Sequence, residues 1–113
     1  MNPRLVNLLG SFITTSSEYS LVRLDFAMRF PERAAPPVLD RLPDASERTL
    51  RERWDGVERQ LREIVDFVRA VESVTGPERA DPAFAALKRA ARELDQYARA
   101  LRWVLTVTEG TGE

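Results

Sequence analysis

The sequence predicts an all-α fold. It is a long antiparallel helical hairpin with an N-terminal helical segment packed against it, a bundle completed by dimerisation. Three observations carry this expectation. Between Ser46 and Thr75, the residues Leu50, Trp54, Val57, Leu61, Ile64, Val68, Val71 and Thr75 recur at alternating steps of four and three. Between Asp81 and Thr108, the residues Phe84, Leu87, Ala91, Leu94, Ala98, Leu101, Leu105 and Thr108 recur at alternating steps of three and four. Each run is the a/d seam of a coiled-coil helix. The short stretch Gly76 to Ala80 joins the two, and so brief a loop makes its helices antiparallel neighbours.

The first element opens well. Asn2 is a capping residue, and Pro3 suits the first helical position. Leu5, Leu8, Leu9, Phe12 and Ile13 then mark an apolar face. The run Thr14-Thr15-Ser16-Ser17 interrupts it. Thr15 and Glu18 have capping-box spacing, so a second helix can begin there. A continuous helix is the alternative, because Leu5, Phe12, Tyr19 and Phe26 repeat every seven residues.

Tyr19 to Phe30 reads two ways. As a strand it alternates, with Val22, Leu24, Phe26, Met28 and Phe30 on one face. It would then pair with Ser11 to Thr15 through a turn at Ser16 to Glu18. As a helix it has one apolar face of Tyr19, Val22, Phe26 and Phe30 and a second of Leu21, Leu24 and Met28. Propensity favours the helix, since Leu, Ala, Met and Arg dominate and only Val22 is β-branched. A helix that is apolar on two sides must be covered on two sides.

Pro31 ends this element. Pro31 to Pro43, with Pro36-Pro37 inside, reads as a stiff extended linker that Val38, Leu39 and Leu42 pin to the core. At about 3.1 Å per residue it reaches roughly 40 Å, most of the length of the bundle. That span lets the first helix lie parallel or antiparallel to the second, or on a neighbouring chain. The second helix begins at Asp44 or Ser46, both with cap-like spacing to the residues that follow. Its outer face carries i,i+4 pairs such as Glu47–Arg51 and Glu58–Arg62. Val65, Phe67 and Val74 lie off its seam and widen its apolar stripe. Gly76-Pro77 stops it, and Asp81-Pro82 starts the third. There Tyr97, Trp103, Val104 and Val107 lie off the seam. In an antiparallel hairpin Trp54 falls near Leu101 to Leu105. The chain is one domain, residues 1–113: an N-terminal segment over 1–30, a proline-rich linker over 31–45 and the hairpin over 46–108.

Composition narrows the chemistry. The 113 residues carry no cysteine and no histidine, which removes disulfides, thiolate nucleophiles, the usual zinc sites and imidazole acid–base catalysis. The net charge of −1 gives no general attraction to nucleic acid or to a membrane. Leu5 to Ile13 is a poor signal-peptide core, interrupted by Asn7 and Gly10, and no run is long enough to span a bilayer. The expectation is a cytoplasmic protein that needs no cofactor.

Four groups of residues are candidate sites. Lys88, Arg92, Arg99 and Arg102 share a face of the third helix beside Trp103, a pattern able to hold an anion or a phosphate backbone. The competing reading is a solvated flank paired with acids of the second helix, and the acidic balance of the chain favours it. Glu63, Asp66, Glu93 and Asp95 are carboxylates of the type that bind metals in bundles, but Glu63 and Asp66 point away from the seam and the histidines of a di-iron site are missing. Trp54-Asp55-Gly56 resembles the Trp-x-Gly of small secreted helical-hairpin proteins. In that family the motif lies in the turn; here the heptads run through it and the turn is at Gly76-Pro77, so the family is not assigned. The last group is the apolar surplus: Tyr19, Val22, Leu24, Phe26, Met28, Phe67, Trp103 and Val107 are the expected interface of a homodimer. The functional expectation is a non-enzymatic interaction or scaffold protein, a homodimeric accessory subunit. The alternative is a nucleic-acid-binding accessory protein using the arginine stripe.

Overall fold

The computed structural model describes the backbone of residues 3–37, 47–74 and 76–111, and the side chains of residues 3–37, 56–74 and 76–107. The expected caps at Asn2, Asp44 and Ser46, the linker anchors Val38, Leu39 and Leu42, and the seam positions Leu50, Trp54, Thr75 and Thr108 lie outside the described residues or side chains. Four helices follow in order: α1 Pro3–Arg29, α2 Glu47–Glu72, the single turn α3 Pro77–Ala80, and α4 Pro82–Thr111. Among the described residues there is no strand.

Tyr19 to Phe30 is helical up to Arg29, and α1 runs unbroken through the Thr14–Ser17 stretch. Two of the hydroxyls there bond back to the helix's own carbonyls, which the helix tolerates. Thr14 Oγ1 donates to the Gly10 carbonyl at 3.0 Å and Ser17 Oγ to the Ile13 carbonyl at 3.1 Å, four residues earlier in each case. Pro31 stops the helix because it has no N–H to continue the ladder. Phe30 N still reaches the Phe26 carbonyl, and Arg33 N closes a turn onto the Phe30 carbonyl.

The seam expected for the hairpin is buried wherever its side chains are described. Val57, Leu61, Ile64, Val68 and Val71 of α2 meet Phe84, Leu87, Ala91, Leu94, Ala98, Leu101 and Leu105 of α4. Two ion pairs fix the direction: Lys88–Glu72 at one end and Arg102–Glu58 at the other, so α2 and α4 are antiparallel. The stretch between them is not a plain loop but contains α3, opened by Pro77. Asp81 then caps α4, its Oδ1 accepting the Ala83 N–H at 2.8 Å.

α4 is the central helix, with α2 packed on one side and α1 along another. Leu5, Phe12, Tyr19 and Phe26, the seven-residue repeat of α1, are all 0–1% exposed. Arg29 at the end of α1 pairs with Asp81 at the start of α4, and Arg4 at its beginning stacks on Trp103 near the other end. α1 is therefore antiparallel to α4 and parallel to α2, within the same chain. Among the described residues the backbones of α1 and α2 make no contact with each other. Side chains close the gap at one end, where the Phe26 ring meets Phe67 of α2 edge-on at 5.9 Å and Phe84 of α4 at 6.0 Å.

Parallel neighbours in sequence need a return path, which the proline segment starts. After Pro31 the chain doubles back along α1: Arg23 Nε donates to the Ala35 carbonyl at 2.7 Å, and Tyr19 Oη to the Pro36 carbonyl at 2.6 Å. Ala35 is buried beneath this strap.

Candidate functional site

The main surface feature lies on α1, roughly opposite its core face. At 3.6 residues per turn, Val6, Gly10, Ile13, Thr14, Ser17, Ser20, Leu21, Leu24 and Met28 fall within an arc of about 120°. No charged residue lies on that arc: Arg4, Glu18, Arg23, Asp25 and Arg29 all fall outside it. Yet it faces water. Val6 is 46% exposed, Ile13 48%, Leu21 69%, Leu24 55% and Met28 83%. A shallow cleft of about 350 Å³ runs along its middle, lined by Ser16, Ser17, Ser20, Leu21 and Leu24. Nothing stands within 4 Å of where a Cβ on Gly10 would be, so the face is open there too. Ser16 edges the cleft from the core side, and its buried Oγ has no hydrogen-bond partner among the described residues.

The expected interface residues divide between the core and the surface. Tyr19 and Phe26 are 0% exposed and belong to the interior of the single chain. Burial pushes the Tyr19 phenol up to about 12, partly opposed by the Arg23 charge, so it stays a hydrogen-bond donor to Pro36. Val22 and Phe67 are half-buried and pack against the same core. The physical reason is volume: α1 turns its aromatic rings inward, and the aliphatic side chains of its other stripe are left outside. Leu24 and Met28 are on the uncharged arc. Trp103 and Val107 are exposed on α4, but at a different edge. The Arg4 guanidinium lies 4.8 Å over the Trp103 ring, and Arg4 projects from the opposite side of α1 to Val6. Leu21 stands with Leu24 and Met28, on the second apolar face read for Tyr19 to Phe30; Val6 and Ile13 complete the arc and are not among the residues expected from sequence at an interface. Their signal is a second repeat at steps of four and three, Val6, Gly10, Ile13, Ser17, Ser20, Leu24, masked because half its members are small or polar.

The arginine stripe is brought together on α4, facing a groove against α2, and most of it is neutralised there. Lys88 Nζ is 2.7 Å from Glu72 Oε2, Arg102 Nη1 is 2.8 Å from Glu58 Oε1, and Arg99 Nε is 3.1 Å from Asp95 Oδ2 within α4 itself. Arg92 is exposed. The hydrogen bond from Lys88, helped by the charges of Lys88, Arg92 and Arg79, holds the Glu72 carboxyl below its ordinary range. Asp66 and Arg62 from α2 line the same groove, so its field is mixed rather than basic. Of the four carboxylates considered for a metal, Glu63 and Asp66 are exposed, and no three acidic side chains converge among the described residues.

A second charged cluster ties α1 to the turn of the hairpin. Arg29 Nη2 donates to Asp81 Oδ2 at 2.9 Å, and Arg33 Nε lies 3.7 Å from Glu78 Oε1. The Arg29 hydrogen bond, with the Ala83 N–H behind it, holds the Asp81 carboxyl below its ordinary range. This cluster orients α1 on α4 rather than forming a pocket.

No family model matches the chain, and no curated protein or solved structure is detectably similar to it.

Proposed function

We propose that this chain is a non-enzymatic interaction or scaffold protein, an accessory subunit that works as a homodimer through the outer face of α1. The observation that carries the reading is the uncharged arc from Val6 to Met28. Nearly a third of this chain is charged, and an arc about 33 Å long without one charge is not the surface of an isolated solvated helix. Several hundred Å² of contiguous apolar surface is, as an order of magnitude, the size that marks an interaction site on a soluble domain. The rest of the bundle supports a passive role. Several of its charged side chains are engaged in a cap and in ion pairs that tie helices together. No described helix is long and apolar enough to cross a membrane, and on this reading the protein works in the cytoplasm, without a cofactor.

The nucleic-acid reading uses Lys88, Arg92, Arg99 and Arg102, and three of these four already hold carboxylates. Light scattering behind size exclusion tests the proposal. It expects twice the 12.9 kDa chain mass at tens of micromolar, and a return to one chain mass for Leu24→Asp with the helical circular dichroism retained. A wild-type mass of one chain refutes it. Salt-sensitive submicromolar binding to duplex DNA or RNA, lost in Arg92→Glu/Arg99→Glu, would install the alternative.

A further inference from the structure

We infer that the two copies pair α1 against α1 in antiparallel register, with the two-fold axis passing beside Ser17. This rests on the reading of the α1 face as a self-pairing surface and adds its geometry.

The order of side chains along the arc sets how two copies can pair. An isologous two-fold contact must be complementary to its own reversed copy. Turning α1 end for end about Ser17 sets Val6 against Met28, Gly10 against Leu24 and Ile13 against Leu21. Each exposed large side chain then meets a partner, and the fully open space at Gly10 receives the Leu24 side chain, which is 55% exposed in one chain. Sliding the pair by a turn either way leaves Val6 or Met28 in water. A parallel pairing buries the same residues but sets like against like, Gly10 against Gly10 and Leu24 against Leu24. That leaves a gap at one level and crowds the other. It also aligns two helix dipoles that an antiparallel pair opposes.

The centre of the antiparallel pair is small: Ser17 faces Ser17, and Thr14 faces Ser20. The hydroxyls of Thr14 and Ser17 are already bonded to their own helix, so they enter the contact without losing a donor bond to water. Small residues at the crossing let helix axes approach to about 9 Å, inside the usual 8–10 Å. With Cα atoms about 2.3 Å off each axis, facing residues then sit roughly 4–5 Å apart, within reach of a disulfide. Two chains joined this way bury on the order of 1,000 Å² in total, the lower end of specific interfaces.

The chain has no cysteine, so single cysteines report the register without background. Ser17→Cys is expected to form a covalent dimer rapidly under mild oxidation. Ile13→Cys and Leu24→Cys alone are expected to be at least tenfold slower, because in this register residue 13 of one chain lies about 12 Å along the axis from residue 13 of the other. Mixing Gly10→Cys with Leu24→Cys chains should restore fast cross-linking. Equal rates for Ser17→Cys and Ile13→Cys at a two-chain mass would establish a parallel pair and overturn the register while leaving self-pairing standing. A two-chain mass with no cross-link at Ser17 and no effect of Leu24→Asp would move the contact to another face. A one-chain mass for the unmodified protein would remove both the register and the reading it rests on.

Discussion

Phe26→Ala should separate the bundle into its parts more effectively than any other single change on α1. Phe26 is 0% exposed and its ring touches three aromatic neighbours: Phe30 at 5.2 Å, Phe67 of α2 at 5.9 Å and Phe84 of α4 at 6.0 Å. It joins α1 to α2, whose backbones make no contact with each other among the described residues. Deleting a buried phenylalanine ring typically costs about 3–5 kcal/mol through lost transfer energy and the cavity left behind. Edge-to-face and tilted ring pairs are worth about 0.5–1.5 kcal/mol beyond their area, which places this site toward the upper part of that range. Domains of this kind have only about 5–15 kcal/mol in total, so the variant loses about a fifth of its stability or more. Urea titration followed by circular dichroism, at one fixed protein concentration for all variants, measures the change as a shift in midpoint at unchanged slope. Arg59→Ala on the exposed face of α2 is the control, with an expected change under about 0.5 kcal/mol. A loss below about 1 kcal/mol for Phe26→Ala would mean that α1 does not dock through this ring and that the three-helix packing is wrong.

Two further predictions concern the polar ties of α1. Tyr19→Phe leaves the Pro36 carbonyl without its donor and should cost about 1–2 kcal/mol near neutral pH. The phenol is held up to about 12 in the folded chain and ionises near 10 when unfolded, so its stabilising effect is complete below pH 10 and is lost as pH rises towards 12; thermal melts across that window should fall more steeply for the parent than for Tyr19→Phe, and parallel curves would contradict the buried hydrogen bond. Asp81 and Glu72 titrate in the opposite sense. Both are held low, Asp81 first by Arg29 and Glu72 first by Lys88, so what they contribute is present above their ordinary range and lost as pH falls below about 4. Asp81→Asn should lower the melting temperature at pH 7 and flatten its decline below pH 4, and an unchanged acid limb would show that the Arg29 tie does not hold α1 in place.

Sequence alone determined the two long helices of the hairpin and most of their limits. The steps of three and four along α2 and α4 survive any packing arrangement, because a side-chain period is a property of the helix itself. The prolines and glycine at Gly76-Pro77, Asp81-Pro82 and Pro31 act through local backbone sterics, and they mark the observed ends to within a few residues. Even the core face of α1 was present as the sevenfold spacing of Leu5, Phe12, Tyr19 and Phe26. What the sequence left open was whether Tyr19 to Phe30 was helix or strand, whether the first helix packed in its own chain or on another, and which of the two apolar faces of α1 would turn inward. Both have helical spacing, and Leu21, Leu24 and Met28 are as hydrophobic as residues of the buried set. The choice depends on groups far along the chain: Phe67, Asp81, Phe84 and Trp103 receive α1 from positions more than forty residues away. The proline strap adds a second long-range constraint by taking its hydrogen bonds from Tyr19 and Arg23. The arginines of α4 were legible as a stripe paired with acids of the second helix, but not which acids, Glu72 for Lys88 and Glu58 for Arg102, since these stand on another helix. Periodicity is local and is written in the chain. The pairing of faces and charges is a sum over contacts between distant segments, and only the assembled bundle evaluates it.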